Sequence, residues 1–266
     1  MSYTVVTSFS IDGYFKYGRN FIKTFMKYWP SSVNLMIYHE GTGEVLDENH
    51  VRVNLLEDVK DCADFIDRYS KDDYACGRRQ KEGFRWKSRA IQAGYNYRFD
   101  AVKFCRKVFA IEDAARRLDG GRLFWVDADV KTFSRVDIDL LDRTLPNNVA
   151  LSYLGRPRSY SECGFVGYNL DHQDCKTFIH AFADMYRFGR VFDIMEWHDS
   201  YVFDYVRSAL RTPGFSIPSS TDKGHVFINS ELGTVMDHLK GDRKDIGRSL
   251  KREMVSDHTN EYWSKV

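Results

Sequence analysis

The chain has 266 residues, of which 43% are hydrophobic, 15% aromatic and 29% charged, with 5 prolines; this excludes disorder, collagen-like repetition and low complexity and suffices for the core of one large domain. The net charge of +1 hides an asymmetry, because ten Lys/Arg against two acids give Arg78 to Lys107 a net +8 and leave −7 on the remainder, and the aromatics interleaved there (Phe84, Trp86, Tyr95, Tyr97, Phe99, Phe104) mark the stretch as a place for something anionic to dock. No apolar run approaches about 18 residues, the N-terminus lacks a basic-then-apolar leader, and the five cysteines (Cys62, Cys76, Cys105, Cys163, Cys175) contain no C-x-x-C pair, so a chain in the reducing cytoplasm is expected, without a disulfide framework, zinc cluster or membrane span.

Tyr3 to Phe9 is a β-branched run that predicts a strand, and the turn at Asp12-Gly13 leads into GYFKYGRNFIKTFMKYW, whose apolar residues recur at helical spacing. Val33–Tyr38 and Val51–Leu55 predict two further strands, and Asp58–Tyr69 a helix. Asp100 can cap a helix reaching about Leu118, with Phe104, Val108, Ile111 and Ala115 on its buried face and Gly120-Gly121 ending it. Leu123-Phe124-Trp125-Val126 then reads as a central strand. Asp137–Leu145 predicts a short helix, Val149–Leu154 and Gly164–Asn169 strands, and Asp174–Arg187 and His198–Leu210 helices, while Pro213 to Lys244 breaks into short pieces. Strands alternating with helices imply an α/β fold with a mainly parallel central sheet and helices on both faces. Ligands then gather at the carboxyl ends of the strands, where the loops carrying Ser8, Asp127 and Glu162 are expected.

Two segments carry chemistry. In Leu123-Phe124-Trp125-Val126-Asp127-Ala128-Asp129, a buried strand delivers two carboxylates into a crevice, and carboxylate oxygens suit Mg²⁺ or Mn²⁺ bridging a diphosphate; a turn or helix cap is the alternative. In His238-Leu239-Lys240-Gly241-Asp242-Arg243-Lys244, an imidazole that can complete a metal shell, a glycine that permits close backbone approach and a lysine for phosphate follow one another.

With these residues the sequence resembles GT-A nucleotide-sugar glycosyltransferases, and the tail resembles the H-x-x-G-x-x-K signature of glycosyltransferase family 8. Glu162-Cys163-Gly164-Phe165-Val166-Gly167-Tyr168-Asn169 is similar to that family's N-[SA]-G segment, and Asp199-Ser200-Tyr201-Val202-Phe203-Asp204 to its D-Q-x-x-x-N segment, with Glu162, Ser200 and Asp204 standing where the family has Asn, Gln and Asn. The resemblance implies a single Rossmann-like GT-A domain over residues 1–266. Residues 1–130 would form the nucleotide-binding half, ending in the D-x-D, and 131–266 the acceptor and catalytic half. It makes Asp127, Asp129 and His238 the metal ligands, and gives Lys244, beside Gly241, the departing diphosphate. Thr7-Ser8-Phe9 would hold the nucleobase and ribose, unless they are simply a polar strand end.

Lys103, Arg106 and Lys107 share a helix face, which either reaches the donor phosphates or is a solvated surface. Glu162 stands open as nucleophile, general base, sugar ligand or structural acid, and Asp199, near Trp197 and His198, competes for the base role. The expected donor is a nucleoside-diphosphate sugar, UDP-sugar first, used with Mn²⁺ or Mg²⁺. The acceptor is a saccharide, lipid or protein hydroxyl, or a hydroxymethylated DNA base, as in phage DNA modification, held by the basic segment 78–107. A nucleotide-sugar binder without transfer and a sugar nucleotidyltransferase are the alternatives. The second typically shows a Gly-rich loop with Arg and Lys after the first strand, which Thr7-Ser8-Phe9-Ser10 lacks.

Overall fold

Strand β1 (Tyr3–Ser10) sends alternate side chains to opposite faces, Tyr3, Val5 and Phe9 into one apolar cluster and Val6 into another. The computed structural model describes residues 1–41, 50–78, 94–222 and 224–264. In chain order the other principal elements are helix α1 (Arg19–Tyr28), β2 (Val33–Glu40), β3 (Val51–Asn54), α2 (Lys60–Tyr69), α3 (Ala101–Arg117), β4 (Arg122–Val126), β5 (Val130–Thr132), α4 (Ile138–Thr144), β6 (Leu151–Leu154), β7 (Glu162–Asn169), α5 (Gln173–Arg187), α6 (Asp199–Leu210), β8 (Gly214–Ser216) and β9 (Met236–His238).

Seven strands form the central sheet in the order β3-β2-β1-β4-β7-β6-β8. The pairs among β3, β2, β1 and β4 are parallel, as is β6 with β8, whereas β7 runs antiparallel to both β4 and β6. The α/β class and mainly parallel sheet expected from the sequence are found. One cluster packs Val6, Leu123 and Trp125 under α2, α3, α5 and α6; the other packs Val5, Phe124 and Val126 under α1, α4 and the C-terminal segment.

The reversal of β7 matters for function. Val126 pairs with Phe165, so the start of β7 lies beside the end of β4, and Glu162 opens a strand where the sequence pattern suggested a loop after one. Beyond β4 the chain turns, with Val130 N–H donating to Asp127 O at 2.9 Å, into the three-residue strand β5. β5 pairs antiparallel with β9, Val130 opposite His238. This two-stranded ribbon is pinned to α1, where Trp29 Nε1 donates to Thr132 Oγ1 at 3.0 Å. On its other strand, buried Asp237 accepts from Ser249 N at 2.7 Å, Ser249 Oγ at 2.6 Å and Tyr262 Oη at 2.8 Å. The helix expected after Asp12 is divided by a π-helical turn at Tyr14–Gly18. The five cysteines are free and buried.

Candidate active site

The end of β4 and the ribbon bring together the three residues predicted to hold a metal. His238 Nε2 lies 3.0 Å from Asp129 Oδ1 and 3.4 Å from Asp127 Oδ2, and one ligand atom from each of the three falls within 4.8 Å of the others. Two carboxylates and an imidazole make a donor set of the kind Mn²⁺ or Mg²⁺ accepts, and the carboxylates are ionised. Burial alone would raise the carboxyl of Asp127, but Lys107 and His238 hold it well below the ordinary range. Burial likewise disfavours an imidazolium at His238, yet Asp129 and Asp127 outweigh it and raise its pKa to about 9.

The other face of that imidazole is equally determined. Its buried Nδ1 has no hydrogen-bond partner and faces Glu162 Oε1 at 3.5 Å. Glu162 Oε1 accepts from Gly164 N at 3.1 Å and from Lys240 Nζ at 2.5 Å, and Arg156 Nη1 stands 3.9 Å from Oε2. Burial opposes its charge, but Lys240 and His238 pull its pKa down to about 2, so Glu162 is a carboxylate across the physiological range. Gly164 supplies the space for the ring: a Cβ there would meet His238 Cε1 at 2.2 Å and Nδ1 at 2.3 Å.

Lys244 Nζ reaches Asp129 Oδ2 at 2.9 Å and lies 4.8 Å from the centre of the Tyr17 ring. The π-helical turn carries Tyr17, whose hydroxyl is pushed up to about 12 by burial and by Asp129 and Asp127. Gly241 has φ +57°, the left-handed conformation that turns the chain between His238 and Lys244; nothing lies within 4 Å of a Cβ built on it.

The three cations on α3 have separate fates. Lys107 Nζ bridges Asp199 Oδ2 at 2.6 Å, the Cys163 carbonyl at 2.6 Å and Asp127 Oδ1 at 3.1 Å, and sits 5.0 Å over the Trp125 ring. Burial opposes its charge, but Asp127 and Asp199 raise its pKa. Arg106 pairs with Glu40 at 2.8 Å, at the end of β2, and exposed Lys103 lies over Phe104. Arg98 pairs with Glu196 at 2.9 Å and Arg78 stands 3.8 Å from Asp73. The cations of the basic segment within the described residues are thus mostly matched to acids elsewhere. Arg79, Lys81, Phe84, Arg85, Trp86, Lys87 and Arg89 lie outside the described residues.

Asp199 is the first residue of α6, its carboxylate held by Lys107. The first-strand residues divide: Thr7 is fully buried with an unpartnered Oγ1, Ser8 is half-buried, and Phe9 packs in the core near the Tyr14 ring and beside Gly18. Val6 pairs with Trp125, so Thr7 and Ser8 fall at the same sheet end as Asp127. Sequence reasoning missed two site residues, Lys240 and Tyr17. Lys240 sits in the tail motif, where its spacing from His238 was the available signal; nothing local marked Tyr17.

No family model matches the chain, and no curated protein matches it by sequence. Among solved structures, the chain is similar to a glycosyltransferase involved in the glycosylation of the major capsid of PBCV-1, with a TM-score of 0.50 at 11% identity over 92% of this chain and 100% of that one. It also aligns with mouse xyloside xylosyltransferase 1 in its apo form, with a TM-score of 0.47 at 10% identity over 81% of this chain and 84% of that one. The glycosyltransferase GlyE of Streptococcus pneumoniae TIGR4, apo form, gives 0.45 at 10% identity over 81% of this chain and 45% of that one. The first of these shows a fold shared with a glycosyltransferase, in agreement with the GT-A-like resemblance, and does not single out family 8.

Proposed function

We propose that this chain is a metal-dependent glycosyltransferase that moves a sugar from a nucleoside-diphosphate sugar, UDP-sugar first, to an acceptor hydroxyl. One observation carries the reading: Asp127 and Asp129 converge with His238 and Lys244, more than a hundred positions later, at the end of a buried strand in a glycosyltransferase fold. Asp127, Asp129 and His238 would hold the cation, Mn²⁺ or Mg²⁺, which when bound supplies charge neutralisation for the diphosphate.

The chain's own residues do the rest. Lys244, resting on Asp129, is in place to take up the negative charge that develops as the anomeric carbon leaves the diphosphate, an effect worth about 3 kcal/mol for one well-placed donor. Glu162, its Oε1 3.5 Å from Nδ1 of His238 without a hydrogen bond, would hold the ring by charge with Nε2 toward Asp127 and Asp129, as carboxylates behind metal-binding imidazoles do. Its permanent ionisation and its engagement by Lys240 favour this role over nucleophile or proton shuttle. Asp199, anchored by Lys107, is then the carboxylate left to meet a sugar or acceptor hydroxyl. Half-buried Ser8, at the same sheet end as Asp127, would meet the nucleoside, and fully buried Thr7 would not touch it. In this reading residues 1–130 would be the nucleotide-binding half and 131–266 the acceptor and catalytic half, the latter also lending His238 to the metal.

A DNA acceptor would rest on exposed Lys103 and on the basic residues of 79–93, which lie outside the described residues, since Arg98, Arg106 and Lys107 are engaged by acids. No helix among the described residues is long and apolar enough to cross a membrane, and we place the enzyme in the cytoplasm.

The test is release of nucleoside diphosphate from a panel of nucleotide sugars with Mn²⁺, first without acceptor and then with simple sugars or hydroxymethylated DNA. Asp129→Ala is expected to lose metal-dependent release while keeping its circular dichroism spectrum. Undiminished release by that variant would remove the metal assignment, and donor binding without release would leave a nucleotide-sugar binder.

A further inference from the structure

Next to Arg156, whose Nη1 faces Glu162 Oε2 at 3.9 Å, an open cleft of about 480 Å³ lies between the loop after β6, the α6 helix and the chain beyond β8. We propose that this cleft binds the acceptor, and that the acceptor is a neutral saccharide; the word acceptor rests on the transferase reading, while the saccharide site stands on the cleft itself.

The walls are fixed before any ligand arrives. Asp204 accepts from Ser161 N at 2.6 Å and Ser161 Oγ at 2.8 Å, and Arg207 Nη2 donates to it at 3.3 Å. Arg207 lies over Tyr153, its guanidinium carbon 4.6 Å from the ring centre. Arg156 Nε donates to the Tyr160 carbonyl at 2.8 Å while its Nη1 faces Glu162 at 3.9 Å. The cleft is thereby joined through Ser161 and Arg156 to the carboxylate that faces His238.

Charge decides the class of occupant. The lining contributes Arg156 and Arg207 against Asp204 and Asp222, a balanced set. A polyanion is held by an excess of cations whose counterions it releases, and such an excess is missing here. Vicinal hydroxyls each donate and accept, so they are met by carboxylates and guanidinium groups side by side, with serines and an apolar ring face completing the contact. Ser216 supplies the hydroxyl and exposed Pro218 the apolar ring, Tyr153 being covered by Arg207. The volume suits one or two sugar rings.

The test uses saturation-transfer NMR on the whole protein with lactose, maltose and cellobiose as probes and a thymidine oligonucleotide as the polyanion. At least one disaccharide is expected to bind. Arg207→Met, which keeps the stem on Tyr153 but removes the donors, and Ser216→Tyr, which fills the cleft, should each weaken it about tenfold or more. Both variants should leave Mn²⁺-dependent hydrolysis of the nucleotide sugar within about twofold of the parent, since neither side chain touches the metal residues. Absence of binding by all three sugars, binding of the oligonucleotide alone, or unchanged sugar binding in both variants overturns the proposal. Sugar binding that both variants abolish, in a protein that never releases diphosphate, upholds the saccharide site while removing the transferase reading.

Discussion

Gly164 and His238 show how one missing side chain builds a centre. The imidazole lies where a Cβ at position 164 would stand, 2.3 Å from Nδ1, so Gly164→Ala must displace the ring or the strand. We expect the variant to lose Mn²⁺ affinity by about tenfold or more, measured by calorimetry, at a stability cost of about 1–3 kcal/mol. Unaltered Mn²⁺ affinity would separate His238 from the metal. His238 also predicts a pH dependence. Its pKa is raised from 6.5 to about 9, so its charged form contributes stability fully below the unfolded value, and that contribution fades as pH rises through about 9. In chelator-treated protein, the thermal-stability advantage of the parent over His238→Gln should shrink between those pH values; an advantage constant with pH would contradict the assignment. Glu162, with its pKa lowered to about 2, has its contribution in place above its unfolded value of 4.5 and adds no slope in that window.

At the scale of the element, α3 works as a strut between acids. Its residue Lys107 meets Asp127 from the end of β4 and Asp199 from the start of α6, and so ties two elements through one ammonium group. Lys107→Met leaves Asp199 without its ammonium group and Asp127 with His238 alone, and about 3–5 kcal/mol of stability should be lost in urea denaturation. Adding Asp199→Asn should return part of that loss, because the coupling is between contacting groups; strict additivity of the two changes would show that they do not act on each other. Elements also explain what the sequence hid. α3 and β4 were legible because seventeen helical residues give periodicity room to declare itself and four successive apolar residues mark a buried strand. β5 and β9 have three residues each, too few for any period, and their pairing depends on contacts 108 positions apart, as between Val130 and His238.

For the molecule as a whole, the order of strands and helices was readable, and with it the end of the sheet where ligands gather. The direction of β7 was not, since alternation of apolar residues is the same whichever way a strand runs. Asp127, Asp129, His238 and Lys244 could be singled out because each sits in a short motif of reactive types. Lys240 could not be joined to Glu162, nor Lys107 to Asp199, because surface-type charges carry no local mark of the partner that three-dimensional packing gives them. For the same reason nothing local showed that, among the described residues of the +8 stretch, Arg98 and Arg106 turn inward to Glu196 and Glu40. The ribbon of β5 and β9 has a consequence for biosynthesis. A nascent chain that has not yet reached His238 already contains β1, β2, β4 and β7, yet it lacks the imidazole and Lys244. On the proposed function, the set of metal ligands is therefore completed last, when β9 pairs with β5 and the ribbon docks on the end of α1.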